Sequence, residues 1–324
     1  MCPFFTIIIP AYNAEKYLGF AIDSILEQSF KNFELIIVND GSEDTTLSIS
    51  KKYEQVNEKV KLIDKKNEGV SAARNDAMAI AKGQYLMFVD ADDVLYPNSL
   101  QVLYDVLNNK SLDYLRFEYR VIDEAGKPLF PNYESKKRKQ WELCVVDSAS
   151  CIQNIVRREF FSCVAVYKRS IILDNNLRYF KGCTYNEDTL FMMEFFQLSK
   201  THSYISNVVY GYRKTNTAVT AHFSDKNYED VENVIRKIIL LDKKTEDSMH
   251  VMIKKTIETL SLRLLQHSHE RFLQDMPSVF AYCKATPILL EWKTIHYLGM
   301  KTALRLFPAI NLVRRIFRKI MFVF

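Results

Sequence analysis

The sequence contains few glycines and no closely spaced cysteine pairs, and each absence excludes a class of protein. Only 8 of the 324 residues are glycine. No Gly-x-Gly-x-x-Gly occurs, which excludes the dinucleotide-binding motif of oxidoreductases. The 6 cysteines form no Cys-x-x-Cys pair and no zinc-ligand spacing. In a chain of this length they indicate buried thiols in a reducing compartment, so we expect a cytoplasmic protein.

Long apolar runs and a strong charge imbalance are also missing. No run reaches the ~18 residues that a membrane-spanning helix needs. No basic segment precedes the apolar residues 4–9, so we expect no signal peptide. The chain has 44 Lys and Arg against 39 Asp and Glu, a net charge of +5. This mild excess does not predict nucleic acid as a partner.

The positive charge is concentrated in a tail, residues 301–324, that contains no acid. Apolar residues interleave with its cations, so a helix there would have an apolar stripe and a basic flank. Such a helix favours an anionic membrane surface, which would place the protein on the inner face of the cell membrane. The alternative is a helix docked on the protein's own core, which explains the stripe equally well. The lack of acids favours the membrane. The cations are Lys301, Arg305, Arg314, Arg315, Arg318 and Lys319.

Short apolar strands alternate with helices over the first hundred residues. We predict strands over 4–9, 33–38, 60–63 and 85–89, with the first one ended by Pro10. Helices are predicted over 15–28, 45–57 and 70–81. This alternation predicts βαβ units, and so an α/β fold with a mostly parallel sheet and flanking helices.

The regular alternation of strands and helices ends after residue 93. The sequence predicts helices over 97–107, 148–157 and 189–198, and strands over 114–121, 163–167 and 203–213, the last as one or two strands. The basic stretch 127–142 is predicted to be an exposed loop. From about residue 227 onward the pattern is helical, which predicts a C-terminal helical extension.

Three carboxylates follow the strand predicted over 85–89. Buried carboxylates are unfavourable unless they are paired or bind a cation, so the cluster should lie where the strand leaves the core. In open α/β sheets ligands bind at that edge. Asp90 and Asp92 point the same way on an extended chain, which suits a hard divalent cation that carries phosphate oxygens. An equally good interpretation is an acidic turn in which Asp92 or Asp93 caps the helix near Pro97.

Four motifs occur in order along the first hundred residues. They are IIIPAYN (7–13), IIVNDGSED (36–44), NEGVSAARN (67–75) and DADD (90–93). In composition, order and spacing they resemble the family-two inverting glycosyltransferases, which have the Rossmann-like GT-A fold and include many enzymes of bacterial surface polysaccharides. The resemblance is strong over about residues 4–100. It continues more weakly through Asn186-Glu187-Asp188 to about residue 213.

The resemblance implies transfer of a sugar from a nucleotide-sugar, expected to be UDP-linked, to an acceptor hydroxyl with inversion. Mn²⁺ or Mg²⁺ would bind Asp92, and Asp90 would hold the ribose hydroxyls or a metal-bound water. Asp40 would recognise the base. The other residues that the resemblance assigns to the nucleotide-sugar pocket are Pro10, Ala11, Tyr12, Glu15, Arg74 and Ala91.

Asp188 matches the family's general base, and Glu187 would orient the acceptor, although which of the two takes the proton stays open. From the residues alone, Asp188 or Asn186 is instead an N-cap of the helix that begins near Thr189. Both roles are compatible, since a helix N-terminus keeps a carboxylate ionised.

Two later residues match the family less closely. Arg213 lies where relatives often have a basic residue near the diphosphate. His222 is either a late histidine ligand of the metal or a solvated loop residue.

The resemblance further predicts a lipid-linked saccharide as acceptor. We expect the chain to divide into a transferase domain over 1–225, with a nucleotide-binding half (1–100) and an acceptor half (101–225), followed by the helical extension (226–300) and the basic tail (301–324).

Two rival functions fit the sequence less well. A sugar nucleotidyltransferase needs a Gly-rich basic loop after its first strand, whereas residues 10–15 contain no glycine and one acid. A non-catalytic nucleotide-sugar-binding protein of the same fold would have lost Asp92 or Asp188, and both are present.

Overall fold

A computed structural model describes residues 2–130, 136–157, 159–215, 223–242 and 247–267. Contacts divide the chain into two compact units, Met1–Ile257 and Glu258–Phe324. His222 and the tail lie outside the described residues, and the domain boundaries at 225 and 300 stay predictions. Within the described ranges, no helix is long and apolar enough to cross a membrane.

An eight-stranded sheet forms the core of the first unit. Its strands are β1 (Phe5–Ala11), β2 (Phe33–Asp40), β3 (Val60–Lys65), β4 (Tyr85–Phe88), β5 (Val94–Leu95), β6 (Tyr114–Ile122), β7 (Ala165–Lys168) and β8 (His202–Arg213). They lie in the order β3-β2-β1-β4-β7-β6-β8-β5. The pairs among β1 to β4 are parallel, as is β6 with β8. Strand β7 runs antiparallel to both neighbours, and β5 runs antiparallel to β8.

Helices connect and cover these strands. They are α1 (Leu18–Leu26), α2 (Thr46–Val56), α3 (Val70–Ile80), α4 (Ser99–Asn109), α5 (Lys136–Lys139), α6 (Ser148–Ser150), α7 (Arg169–Asp174), α8 (Glu187–Leu198), α9 (Asp225–Asp242) and α10 (Asp247–His267). The described residues also include a π-helical segment, Cys151–Val156, and a 3₁₀ turn, Ser162–Val164. Every residue of β2 is buried, so both faces of the sheet are covered there.

The strands and helices predicted over the first hundred residues are present with shifted ends, whereas the short strand β5 was not predicted. Helix α1 begins at Leu18 rather than near residue 15, and its buried residues Ala21, Ile22 and Ile25 give the apolar face that the spacing predicted. The segment 203–213 is one strand, β8, with a register shift in its pairing with β6. The strand predicted over 163–167 begins only at Ala165, after the 3₁₀ turn.

The prediction that Pro10 ends the first strand was wrong. Strand β1 continues through Pro10, which lies opposite Val38 of β2. The carbonyl of Ile8 accepts a hydrogen bond on the β4 side, and Pro10, two residues on, faces that same side. Because β4 pairs with β1 only as far as Phe88, no strand partner requires the N–H that proline lacks.

The prediction of an exposed loop over 127–142 was also wrong for part of that stretch. Arg138 lies in α5 and is buried. Its guanidinium pairs with Glu118 of β6 and with Glu159. A basic segment is expected to form an exposed loop unless one of its cations can pair with a buried acid. Glu118 is a buried acid of this kind.

Gly83 allows the close approach that starts β4. Its N–H donates to Thr6 Oγ1 at 2.8 Å, and Thr6 Oγ1 donates to the buried carboxylate of Glu34 at 2.7 Å. A Cβ on Gly83 would lie 2.3 Å from the backbone nitrogen of Thr6. The chain therefore needs glycine here to bring β4, and the acids that follow it, beside β1.

We expect Gly83→Ala to lower the free energy of unfolding by about 2–3 kcal/mol, because the backbones of β1 and the turn must move apart. Urea unfolding followed by far-UV circular dichroism measures this. Gly19→Ala is the matched control. Its Cβ would meet only Tyr53 Oη at 3.7 Å, so helix propensity should leave stability equal or about 0.5–1 kcal/mol higher. Equal midpoints for Gly83→Ala and wild type would contradict the expected clash.

Candidate active site

The carboxyl ends of β1 and β4 meet at one edge of the sheet and border a cavity of about 860 Å³. Neighbouring parallel strands end at the same edge, so the chain that leaves β1 faces the acids that follow β4. Of the residues that the resemblance assigned to the nucleotide-sugar pocket or to its metal, six line this cavity. They are Pro10, Tyr12, Glu15, Asp90, Ala91 and Asp92.

Four assigned residues do not line the cavity and are buried: Ala11, Asp40, Arg74 and Arg213. Asp40 shapes the loop after β3, since its Oδ1 and Oδ2 accept hydrogen bonds from the N–H groups of Glu68 at 3.0 Å and Gly69 at 2.8 Å. Glu15 has a similar structural bond, because its Oε2 accepts from Thr45 Oγ1 at 2.7 Å.

The acids after β4 have different surroundings. Asp93 is buried, and its carboxylate accepts from Tyr210 Oη and from the backbone N–H of Arg213, both at 2.6 Å. Helix α4 has Asn98 as its N-cap. The alternative prediction that Asp92 or Asp93 caps this helix was therefore wrong.

Asp92 is the acid best placed to bind a cation. Desolvation and the charge of Asp90 raise the pKa of Asp92 to about 6. Within the described ranges, no side chain donates a hydrogen bond to its carboxylate, and no three His, Cys, Asp or Glu side chains enclose a metal site. Two carboxylates beside an open cavity suit a divalent cation whose other ligands are diphosphate oxygens, so these residues fit Mg²⁺ or Mn²⁺.

Arg74 joins an acid that follows β4 to the two acids that begin α8. Its side chain is 5% exposed and projects from α3. Nη2 lies 3.1 Å from Asp90 Oδ1, and Nη1 lies 3.0 Å from both Glu187 Oε1 and Asp188 Oδ1. Burial lowers the pKa of Arg74, but the neighbouring carboxylates together have the larger effect and raise it well above its usual value. The guanidinium also lies over the ring of Tyr179, 5.0 Å from its centroid.

Glu187 and Asp188 form the first turn of α8, as predicted, but neither caps it. The N-cap is Asn186, in the left-handed conformation, and the oxygens of Asp188 accept hydrogen bonds from Arg74 and Ser162. The N-cap alternative for Asp188 was therefore wrong. Desolvation and the neighbouring Asp188 raise the pKa of Glu187 to about 7.

Helix α3 holds the segment before α8 in place. Ser71 Oγ donates to the carbonyl of Cys183 at 2.9 Å. Asn75 exchanges two hydrogen bonds with the backbone of Tyr179, each 2.8 Å long. Because these donors and acceptors are buried, they fix the segment that leads into α8 relative to α3.

The side chain of Arg213 binds backbone carbonyl groups and does not line the cavity. Its Nε donates to the carbonyl of Asp92 at 2.7 Å, and its Nη1 donates to the carbonyls of Asp123 and Glu124. The ring of Tyr17 lies beneath the guanidinium, 4.9 Å away. These contacts set the direction of the Asp92 backbone, and a diphosphate contact for Arg213 stays a prediction.

Sequence reasoning missed two residues that contact the acids. Ser162 donates two hydrogen bonds to Asp188. The hydroxyl of Tyr210 donates to Asp93 and accepts from the N–H of Asp90 at 3.1 Å. Neither belongs to a local motif. Strand pairing brings them to the site, because β7 lies beside β4 and β8 lies beside β5.

The family assignment follows from comparison with known proteins. The sequence profile of Glycosyl transferase family 2 matches residues 6–172, just over half of the chain. The chain belongs to that family. Glycosyltransferase GlyA of Streptococcus pneumoniae is 28% identical over 228 residues, which cover 68% of this chain but 32% of GlyA. The chain thus spans about a third of the length of that relative. The uncharacterized glycosyltransferase YibD of Escherichia coli is 29% identical over 74% of this chain and 70% of its own.

Solved structures support the fold. The crystal structure of S. aureus TarS 1-349 in complex with UDP-GlcNAc has a TM-score of 0.69 at 21% identity, and the match covers 85% of this chain and 80% of that one. The mannosyltransferase PcManGT from Pyrobaculum calidifontis, in complex with GDP-Man and Mn²⁺, has a TM-score of 0.56 at 14% identity, covering 93% and 81%. The predicted GT-A fold is confirmed.

We expect Arg74→Met to lower the free energy of unfolding by about 3–5 kcal/mol, because three carboxylates lose their buried cation. Chemical denaturation of the full chain measures this. Arg236→Met is the control, since it removes an exposed Arg236–Glu232 pair within α9 and should change stability by less than about 0.5 kcal/mol. Similar losses in both variants would show that burial of the Arg74 cluster contributes nothing.

Proposed function

We propose that this chain is an inverting glycosyltransferase that moves a sugar from a UDP-sugar to an acceptor hydroxyl. The observation that carries the proposal is the convergence of Asp90 with Glu187 and Asp188 on Arg74. A residue beside the donor cavity and the candidate base thus contact the same guanidinium. This holds them close together, and a reaction between donor and acceptor requires that proximity.

In this proposal the nucleotide occupies the cavity bordered by Pro10 and Tyr12, with the flat, half-exposed ring of Tyr12 against the base. Asp90 and Asp92 lie where the diphosphate would end. These two carboxylates would hold Mg²⁺ or Mn²⁺, which stabilises the negative charge that grows on the leaving diphosphate.

Asp188 is proposed as the general base. It would take the proton from the acceptor hydroxyl while that oxygen attacks the anomeric carbon from the face opposite the diphosphate, which inverts the configuration. Arg74 and the amino end of α8 place positive charge beside Asp188. One carboxylate oxygen of Glu187 accepts a hydrogen bond from Arg74, and the other would orient the acceptor.

The first test is turnover. We expect the full chain to release UDP from at least one of a panel of UDP-sugars with Mn²⁺, and chelation with EDTA should remove that activity. Asp188→Asn should lower the rate about 10²- to 10⁴-fold, because it removes the base. UDP binding, followed by thermal shift, should be retained.

Asp105→Asn, an exposed change in α4, is the control and should match wild type. Binding of UDP-sugars without any UDP release would favour the non-catalytic binding protein instead. Full activity in Asp188→Asn would remove the proposed base.

We further propose that the acceptor is a lipid-linked saccharide and that the tail binds an anionic membrane surface. The support is the charge of residues 301–324, which contain six cations and no acid. Deleting 301–324 should move the protein from the membrane to the supernatant fraction, and vesicles with anionic lipid should bind the full chain but not the truncated one. An unchanged distribution would refute the membrane placement and leave the transferase proposal intact.

A further inference from the structure

Ser162 contacts both carboxylate oxygens of Asp188. Its Oγ donates to Oδ1 at 2.8 Å, and its backbone N–H donates to Oδ2 at 3.0 Å. The side chain of Ser162 is fully buried, whereas that of Asp188 is 19% exposed. Part of the Asp188 side chain therefore reaches solvent, while the residue that holds it does not.

The sheet fixes the position of Ser162. This residue begins the 3₁₀ turn that leads into β7. Strand β7 runs antiparallel to β4, with Val166 opposite Met87, so the start of β7 lies beside the end of β4. Both donors of Ser162 are thus held at the edge where Asp90 leaves the sheet.

The contacts of Asp188 distinguish its two oxygens. A carboxylate has about four lone-pair positions for hydrogen bonds. On Oδ1, Arg74 Nη1 and Ser162 Oγ fill both positions. On Oδ2, the Ser162 N–H fills one. Among the residues that the structure describes, one position remains open, and it is on Oδ2.

We propose that Ser162 is a positioning residue that presents this one lone pair of Asp188 Oδ2 to the acceptor hydroxyl. The inference rests on the proposed function of Asp188. Two donors from one residue prevent the carboxylate from rotating, so the acceptor meets the same oxygen in every turnover. The hydroxyl proton passes to Oδ2, the hydroxyl oxygen bonds to the anomeric carbon, and the bond to the diphosphate breaks with its electron pair on the diphosphate.

The test measures steady-state UDP release by the full-length Ser162→Ala variant with Mn²⁺. The donor panel is UDP-GlcNAc, UDP-glucose and UDP-galactose, with water as acceptor. We expect kcat to fall about 10- to 100-fold, the effect of losing one hydrogen bond to a charged group. The KM for the donor should change less than twofold, because Ser162 does not line the donor cavity.

Three variants separate positioning from packing. Ser162→Thr keeps the hydroxyl and should restore most of kcat. Ser162→Cys keeps the volume but has a weak donor, so it should be intermediate. Ser148→Ala removes another buried serine hydroxyl, which donates to the carbonyl of Ser199 at 3.0 Å, and should match wild type. If Ser162→Ala does not fold, the kcat values of the other variants test the inference. They should decrease in the order wild type, Ser162→Thr, Ser162→Cys.

The inference fails if Ser162→Ala or Ser162→Cys keeps wild-type kcat, or if Ser162→Ala and Ser148→Ala lose activity equally. In those cases the proposed function stands, because wild type still turns over. If wild type binds the UDP-sugars but releases UDP from none, the proposed function fails, and this inference fails with it.

Discussion

The ion pairs of the buried Arg74 are the constraint on which the rest of the site depends. The guanidinium projects from α3, while its partners follow β4 and begin α8. Its planar fork lets Nη1 and Nη2 bind acids at separate positions, over a wider span than the compact ammonium of lysine covers. The hydrogen bonds between α3 and the segment before α8 then keep these two helices at the distance that the guanidinium bridges.

The acids of the site outnumber its cations. Asp93 shares the low solvation of its neighbours, and desolvation followed by the charges of Asp90 and Asp92 raises its pKa well above the usual value. A diphosphate that enters such a pocket adds further negative charge, so its binding is unfavourable unless a cation lies between it and Asp92. The excess of carboxyl groups over cations thus supports a divalent metal in the proposed reaction. The carboxyls are Asp90, Asp92, Asp93, Glu187 and Asp188, and the guanidinium groups beside them are those of Arg74 and Arg213.

Those parts of the fold and site that depend on local pattern were predictable from the sequence. The apolar runs of β1 to β4 and the acids after β4 lie close together in the chain, so their order defines both the sheet edge and the cavity. Features that depend on distant partners were not predictable. Pro10 stays in a strand because β4 ends before it could pair with Pro10. Arg138 is buried because it pairs with Glu118. Ser162 has no signal at all before β7 is known to pair with β4.

The reversed strand β7 explains why the proposed donor and acceptor chemistry share one edge. Parallel strands present their carboxyl ends there, and in this chain those ends deliver acids. An antiparallel strand presents its amino end instead, and the turn before it carries backbone N–H groups that no neighbouring strand pairs. One such group, the N–H of Ser162, donates a hydrogen bond to Asp188. The turn before the reversed strand thus supplies a hydrogen-bond donor to a site that is rich in carboxylates. The change of strand direction at β7 is therefore a chemical feature of the site as well as a topological one.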